Sequence, residues 1–194
     1  MEYKMIFGWL SVVIGIVSYF PYYRNIFLNK TKPHAFSWLI FAILSFVGFA
    51  AQITEGGGAG VWVTGISGIM CVGVFVIAIY KGTKNFVFID KVFLAVALLT
   101  LIPWWLTKDP IISVILVSLI DVLGFIPTIR HGYLYPYEET LSTFVLSSIK
   151  FVFGIIALET YTLSTFMYPA SIAIITGVFC VLLIHRRTIL KAPQ

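Results

Sequence analysis

Charged side chains are scarce in this chain. Asp, Glu, Lys and Arg make up 11% of its 194 residues, against about 25% in an ordinary soluble domain. With 60% of the residues hydrophobic, too little polar surface remains to wrap one small core, which excludes a water-soluble globule. Histidine and cysteine are scarcer still, at three and two. They have no metal-ligand spacing, no glycine-rich phosphate loop is present, and no nucleophile is grouped with a base. The sequence therefore asks for no metal and no cofactor, and it speaks against an enzyme. Alternating segments of about ten residues, the signature of an outer-membrane barrel, are also missing. Cys71 and Cys180 lie within apolar runs and read as small packing residues. The first apolar run is long and lacks a small-residue cleavage site, so it is expected to be a span rather than a signal peptide.

What is present is a series of continuous apolar runs. A spanning helix needs about 20 mainly apolar residues. Seven runs meet that length, at 5–23, 36–54, 60–80, 86–106, 110–130, 141–159 and 164–186. The expected fold class is an all-α integral membrane protein with seven transmembrane helices. Its net charge of +5 would suit nucleic acid if it were clustered. Instead it follows the membrane: with the N-terminus outside, Arg24, Lys30, Lys32, Lys81, Lys84, Arg130, Arg186, Arg187 and Lys191 fall inside, and only Lys4 and Lys108 fall outside. The expectation is an N-out, C-in protein of the plasma (inner) membrane that binds no nucleic acid. Trp104, Trp105, Tyr161 and Tyr168 then read as anchors at the outer interface, and Trp38 as one near the inner mouth. Asp90 and Lys91 open the fourth run as a helix-start carboxylate and a snorkelling lysine. Glu138 and Glu139 precede the sixth as caps.

Sliding the chain by 106 residues superimposes the first three runs on the last three without a gap. Pro21 falls on Pro127, Arg24 on Arg130, Gly48 on Gly154, Ala51 on Ala157, Thr54 on Thr160 and Val72 on Val178. Three spans are an odd number, so the fourth restores a parallel relation between the halves. The expected organisation is a first three-helix bundle at 1–84, a linker helix at 85–108 and a second bundle at 109–194.

The stretch YFPYYRN at 19–25 and its echo GFIPTIR at 124–130 carry a proline near the inner end of the first helix of each half. Asn25, the run K-T-K and Ser37 follow in the first half. With the three-one-three order, this resembles the PQ-loop superfamily, which includes the SWEET sugar transporters, the lysosomal cystine transporter and the KDEL receptor. The usual glutamine after the proline is replaced by Tyr22 and Thr128. The asparagine typical of the third helix of each bundle in sugar-carrying members is absent from both 60–80 and 164–186. The resemblance implies a carrier working by alternating access, with a central site between two bundles and Pro21 and Pro127 as hinges.

Charges at bilayer depth are costly and usually mark a pathway. Asp121 and Lys150 fall near the middle of the fifth and sixth runs. Taken as antiparallel neighbours, those helices would pair the two charges at the midplane, either as a static bridge or as a site where Asp121 takes a proton or meets a polar substrate. Thr143, Ser147, Lys150, Gly154 and Ala157 recur at helical spacing as a small and polar stripe, with Ser118 one turn before Asp121. Gln52, Ser147 and Thr176 are expected to line a hydrated cavity, whereas the glycines and alanines serve close helix packing. The partners implied are a small-molecule solute, protons in a second-level reading, the lipid bilayer and a homo-oligomer. A receptor or sorting protein of KDEL-receptor-like architecture is the alternative. A retinal protein is disfavoured because the last run contains no lysine.

Overall fold

The computed structural model describes residues 2–29, 33–82, 88–99, 102, 106–107, 109–137 and 139–190. The side chains of Ile89, Asp90, Lys91, Phe93, Pro127 and His131 lie outside that description, as do Lys30, Lys32, Lys84, Trp104, Trp105, Lys108, Glu138 and Lys191. Expectations resting on those residues are carried no further.

The described residues form helices α1 (Glu2–Phe27), α2 (Ala35–Thr54), α3 (Trp62–Lys81), α4 (Phe88–Leu99), α5 (Ile111–Leu134), α6 (Leu141–Ile156) and α7 (Leu163–Ile189), with a 3₁₀ turn at Gly58–Val61 leading into α3. No strand occurs among them. Five helices (α1, α2, α3 with its turn, α5 and α7) are long and apolar enough to cross a membrane. Helix α6 has 16 residues, short of the expected span, and of the fourth run the described residues form α4 over Phe88–Leu99. The apolar run after Leu141 continues beyond α6, but its backbone turns at Ala157, and Glu159 N–H then bonds Gly57 O at 3.1 Å.

Large apolar side chains face outward along the long helices. On α7, Ile174, Val178 and Val181 are 65%, 61% and 68% exposed, one face at helical spacing, and α1 presents Ile6, Trp9, Val13, Val17 and Phe20 likewise. Water would not tolerate an apolar surface of this extent, and a bilayer does. The chain is membrane-embedded.

Helix ends follow local chemistry. Helix α1 stops where Asn29 adopts φ 57°, a left-handed cap. The Asp109 carboxylate accepts from Ile111 N–H at 2.8 Å and opens α5, whereas Thr162 and Thr165 form a reciprocal capping box at the start of α7. At α6 the N-cap position belongs to Thr140, whose side chain makes no capping bond. Glu139 contributes its backbone carbonyl to Arg187 instead.

Helix α3 packs on both α1 and α2, and α7 packs on both α5 and α6. Across these groups α1 meets α6, and α2 meets α5 and α7; α4 lies on α2. Neither of the consecutive pairs α1/α2 and α5/α6 packs along its length. The expectation that α5 and α6 are packed neighbours is thus corrected: α7 is the common partner of both.

Two ends of the molecule are distinguished by the connections. At one, Lys4 Nζ donates to Leu158 O at 2.7 Å and the 57–159 bond joins the α2–α3 and α6–α7 turns. At the other, Arg187 donates to Pro136 O and Glu139 O, tying the α5–α6 turn to the end of α7. Arg24, Lys81, Arg130, Arg186 and Arg187 all sit at or near the C-terminal ends of α1, α3, α5 and α7. These ends share the second face, opposite Lys4.

Candidate functional site: a central charged cavity

A cavity of about 170 Å³ opens between the helices. Asp121, Ser147, Lys150 and Thr176 line it, together with Ser18, Tyr19, Tyr22, Trp38, Ser45, Ser67, Cys71 and Tyr168. These positions run from the middle of the helices toward the face where α1 ends. Toward the face bearing Lys4 the helices lie close together. A methyl group added at Gly48 would lie 2.8 Å from the Tyr168 ring, and one at Gly60 would run into Gly154 O and Leu158. Small residues earn that proximity in bundles where lipid supplies no hydrophobic drive between helices.

Lys150 is 2% exposed. Its ammonium donates to Ser67 Oγ at 3.0 Å and sits 4.7 Å from the Tyr19 ring centroid and 5.0 Å from that of Phe151. Ser67 in turn donates to Val63 O at 2.6 Å, which fixes its lone pairs toward the lysine. The stem of Lys150 passes Gly15 of α1, where an added methyl group would lie 3.8 Å from Lys150 Cδ, an ordinary contact. Asp121 lines the same cavity from α5, but no ion pair joins the two charges; the lysine's hydrogen-bond partner is Ser67. The expected midplane pairing does not form because Lys150 stands where α6 meets α1, whereas Asp121 stands on α5, which packs on α2 and α7.

The remaining polar residues divide. Ser147 borders the cavity, and so does Thr176, although its hydroxyl is turned back onto Ile172 O at 2.6 Å. Gln52 and Ser118 are buried away from the cavity. Gln52 Nε2 donates to Thr165 O at 2.7 Å. Pro169 lies within α7, four residues after Thr165, and its missing N–H leaves that carbonyl without a helical partner. The glutamine amide satisfies it. Ser118 Oγ has no hydrogen-bond partner. The stripe on α6 faces inward as expected: Thr143, Ser147 and Lys150 border the cavity, while Gly154 packs against Val63. Both cysteines are free and buried, and Cys71 lies 3.4 Å from the Tyr19 hydroxyl.

Two aromatic residues read as interface anchors belong to the site. Trp38 lies against Tyr22, with ring centroids 4.9 Å apart and planes tilted by 47°, and its indole N–H donates to the Tyr22 hydroxyl at 3.2 Å. Tyr168 is 1% exposed, and its hydroxyl lies 3.2 Å from Ser45 Oγ. Tyr161 does remain exposed, at the face bearing Lys4. The ring pair Tyr19–Trp38 is edge-to-face at 6.2 Å, and Phe125–Phe144 is edge-to-face at 5.9 Å. Their positions correspond at the same 106-residue shift that relates Pro21 to Pro127. That shift was enough to find them. Pro21 and Pro127 both lie inside continuous helices. Compared with protein families, curated proteins and solved structures, the chain matches none.

Proposed function

We propose that the protein is a carrier of a small polar solute, working by alternating access between two three-helix bundles, α1–α3 and α5–α7, with α4 as the linker. The observation that carries this reading is the central cavity: it holds Asp121 and Lys150 at the middle of a membrane-embedded bundle, and its lining runs toward the face where α1 ends, whereas the helices lie close together toward the face bearing Lys4. Support for two related halves comes from the packing, in which the third helix of each group is the partner of the first and second. The repeated Tyr19–Trp38 and Phe125–Phe144 geometry adds to it. Pro21 would be a flexing point, since it removes one helical hydrogen bond. The face with the arginines would be cytoplasmic, and the resemblance to the PQ-loop and SWEET-like carriers agrees with this arrangement.

Alternating access requires the closely packed helices on the Lys4 side to part. A Cβ at residue 154 would lie 3.6 Å from that of Val63, within the range a disulfide spans. Cysteines at Gly154 and Val63, in a chain with Cys71 and Cys180 replaced by alanine, should therefore cross-link α6 to α3. In proteoliposomes, oxidation should stop solute exchange and reduction should restore it. Exchange that continues unchanged with the cross-link formed would overturn the alternating-access reading.

A further inference from the structure

We infer that the solute is a zwitterion with a compact apolar or aromatic body, its carboxylate meeting Lys150 and its ammonium meeting Asp121. This rests on the carrier reading and adds the chemical class of the solute to it.

The cavity holds one charge of each sign, and neither neutralises the other. The ammonium of Lys150 spends one of its three protons on Ser67, a neutral acceptor whose own proton is committed to Val63 O. Two protons remain for a ligand. Opposite it, Asp121 offers a carboxylate from a different helix. Charges held at such depth without a counterion are costly. A ligand of one sign offsets one of them and leaves the other; an uncharged sugar offsets neither. A zwitterion offsets both at once.

Polarity within the cavity also orients the ligand. Lys150 already occupies the cation position over Tyr19 and Phe151, so a second cation is repelled from that end and a carboxylate is favoured there. The ammonium end is left to Asp121. Rings and aliphatic side chains, Phe125, Phe144 and Ile172 among them, share the lining with hydroxyls such as those of Thr143 and Ser147. A cavity of about 150 Å³ is large enough for a benzene ring, and this one is about 170 Å³.

The test uses purified wild-type protein and two zwitterions, L-phenylalanine and L-leucine. Each is compared with its decarboxylated amine, its deaminated acid and with glucose, by ligand-induced shift of the unfolding midpoint. At least one zwitterion should bind, and its one-charge analogues should bind about tenfold more weakly or worse, because each loses a charge-assisted hydrogen bond. Asp121→Asn should abolish discrimination between zwitterion and acid while preserving that between zwitterion and amine. Lys150→Met should do the reverse. Should either variant fail to fold, the wild-type ligand series decides alone. Glucose binding as well as both zwitterions, or neither zwitterion binding, overturns the assignment. If glucose exchanges across proteoliposomes and no zwitterion binds, the carrier stands and the zwitterion falls. If the zwitterion binds with the stated selectivity and nothing exchanges, the site stands and the carrier falls.

Discussion

Glycine positions in this protein report two different environments. At Gly60 an added methyl group meets the backbone at Gly154 and Leu158, which cannot move aside as a side chain end can. At Gly124 the nearest neighbour of such a methyl is a ring carbon of Phe41 at 3.8 Å, an ordinary contact. Gly60→Ala should therefore destabilise by about 1–3 kcal/mol, the usual cost of overpacking. Gly124→Ala should be neutral or stabilising by up to about 1 kcal/mol, from its gain in helix propensity. Thermal unfolding in detergent measures both, and equal effects would show that the helices are not tightly packed at Gly60. Gly15 is a third case: an added methyl group there would press on Ile66 Cγ2 at 3.2 Å and reach Lys150 Cδ only at 3.8 Å.

Among the elements, α7 depends on α2 for its backbone chemistry. Pro169 orphans the Thr165 carbonyl, and Gln52 reaches across to donate to it. Gln52→Leu should cost about 1–3 kcal/mol by leaving a buried acceptor unsatisfied. In a Pro169→Ala background, where residue 169 regains its N–H, that cost should shrink toward zero. A double-mutant cycle on unfolding midpoints measures the coupling, and additivity would show that the bond does not serve the proline. Much at this scale could be read from the sequence, because a bilayer forces each long helix into an uninterrupted apolar run. The neighbours of each helix could not. Adjacency in the chain suggested that α5 and α6 pack together, and no residue pattern announced that α7 would take that place. Aromatic side chains near helix ends were misread for a related reason. Trp38 and Tyr168 have the same composition signature whether they face lipid headgroups or a cavity, and only packing separates the cases. Gln52 was assigned to the cavity because Pro169, the cause of its placement, is four residues from the carbonyl it affects and on another helix. Lys150, Asp121, Ser147 and Thr176 were found because a polar group in an apolar run has few other reasons to be there.

Taken whole, the molecule is polarised along its axis: Lys4 stands at one end, and Arg24, Lys81, Arg130, Arg186 and Arg187 at the other. If the basic end is cytoplasmic, a membrane-impermeant maleimide applied to intact cells should label Lys4→Cys and spare Arg186→Cys until the membrane is permeabilised. Native Cys71 and Cys180 are buried and contribute little background. Labelling in the opposite pattern would reverse the orientation.

The place of α7 between α5 and α6 also has a consequence for synthesis. A ribosome delivers this chain N-terminus first, and α3 emerges soon enough to complete the contacts of α1 and α2. Helices α5 and α6 enter the membrane before the segment that joins them exists. Until α7 arrives, what is already assembled offers them other partners, α2 for α5 and α1 for α6. The earlier helices are then a template on which α5 and α6 are laid, and α7, which follows both, is the wedge that fixes them in place.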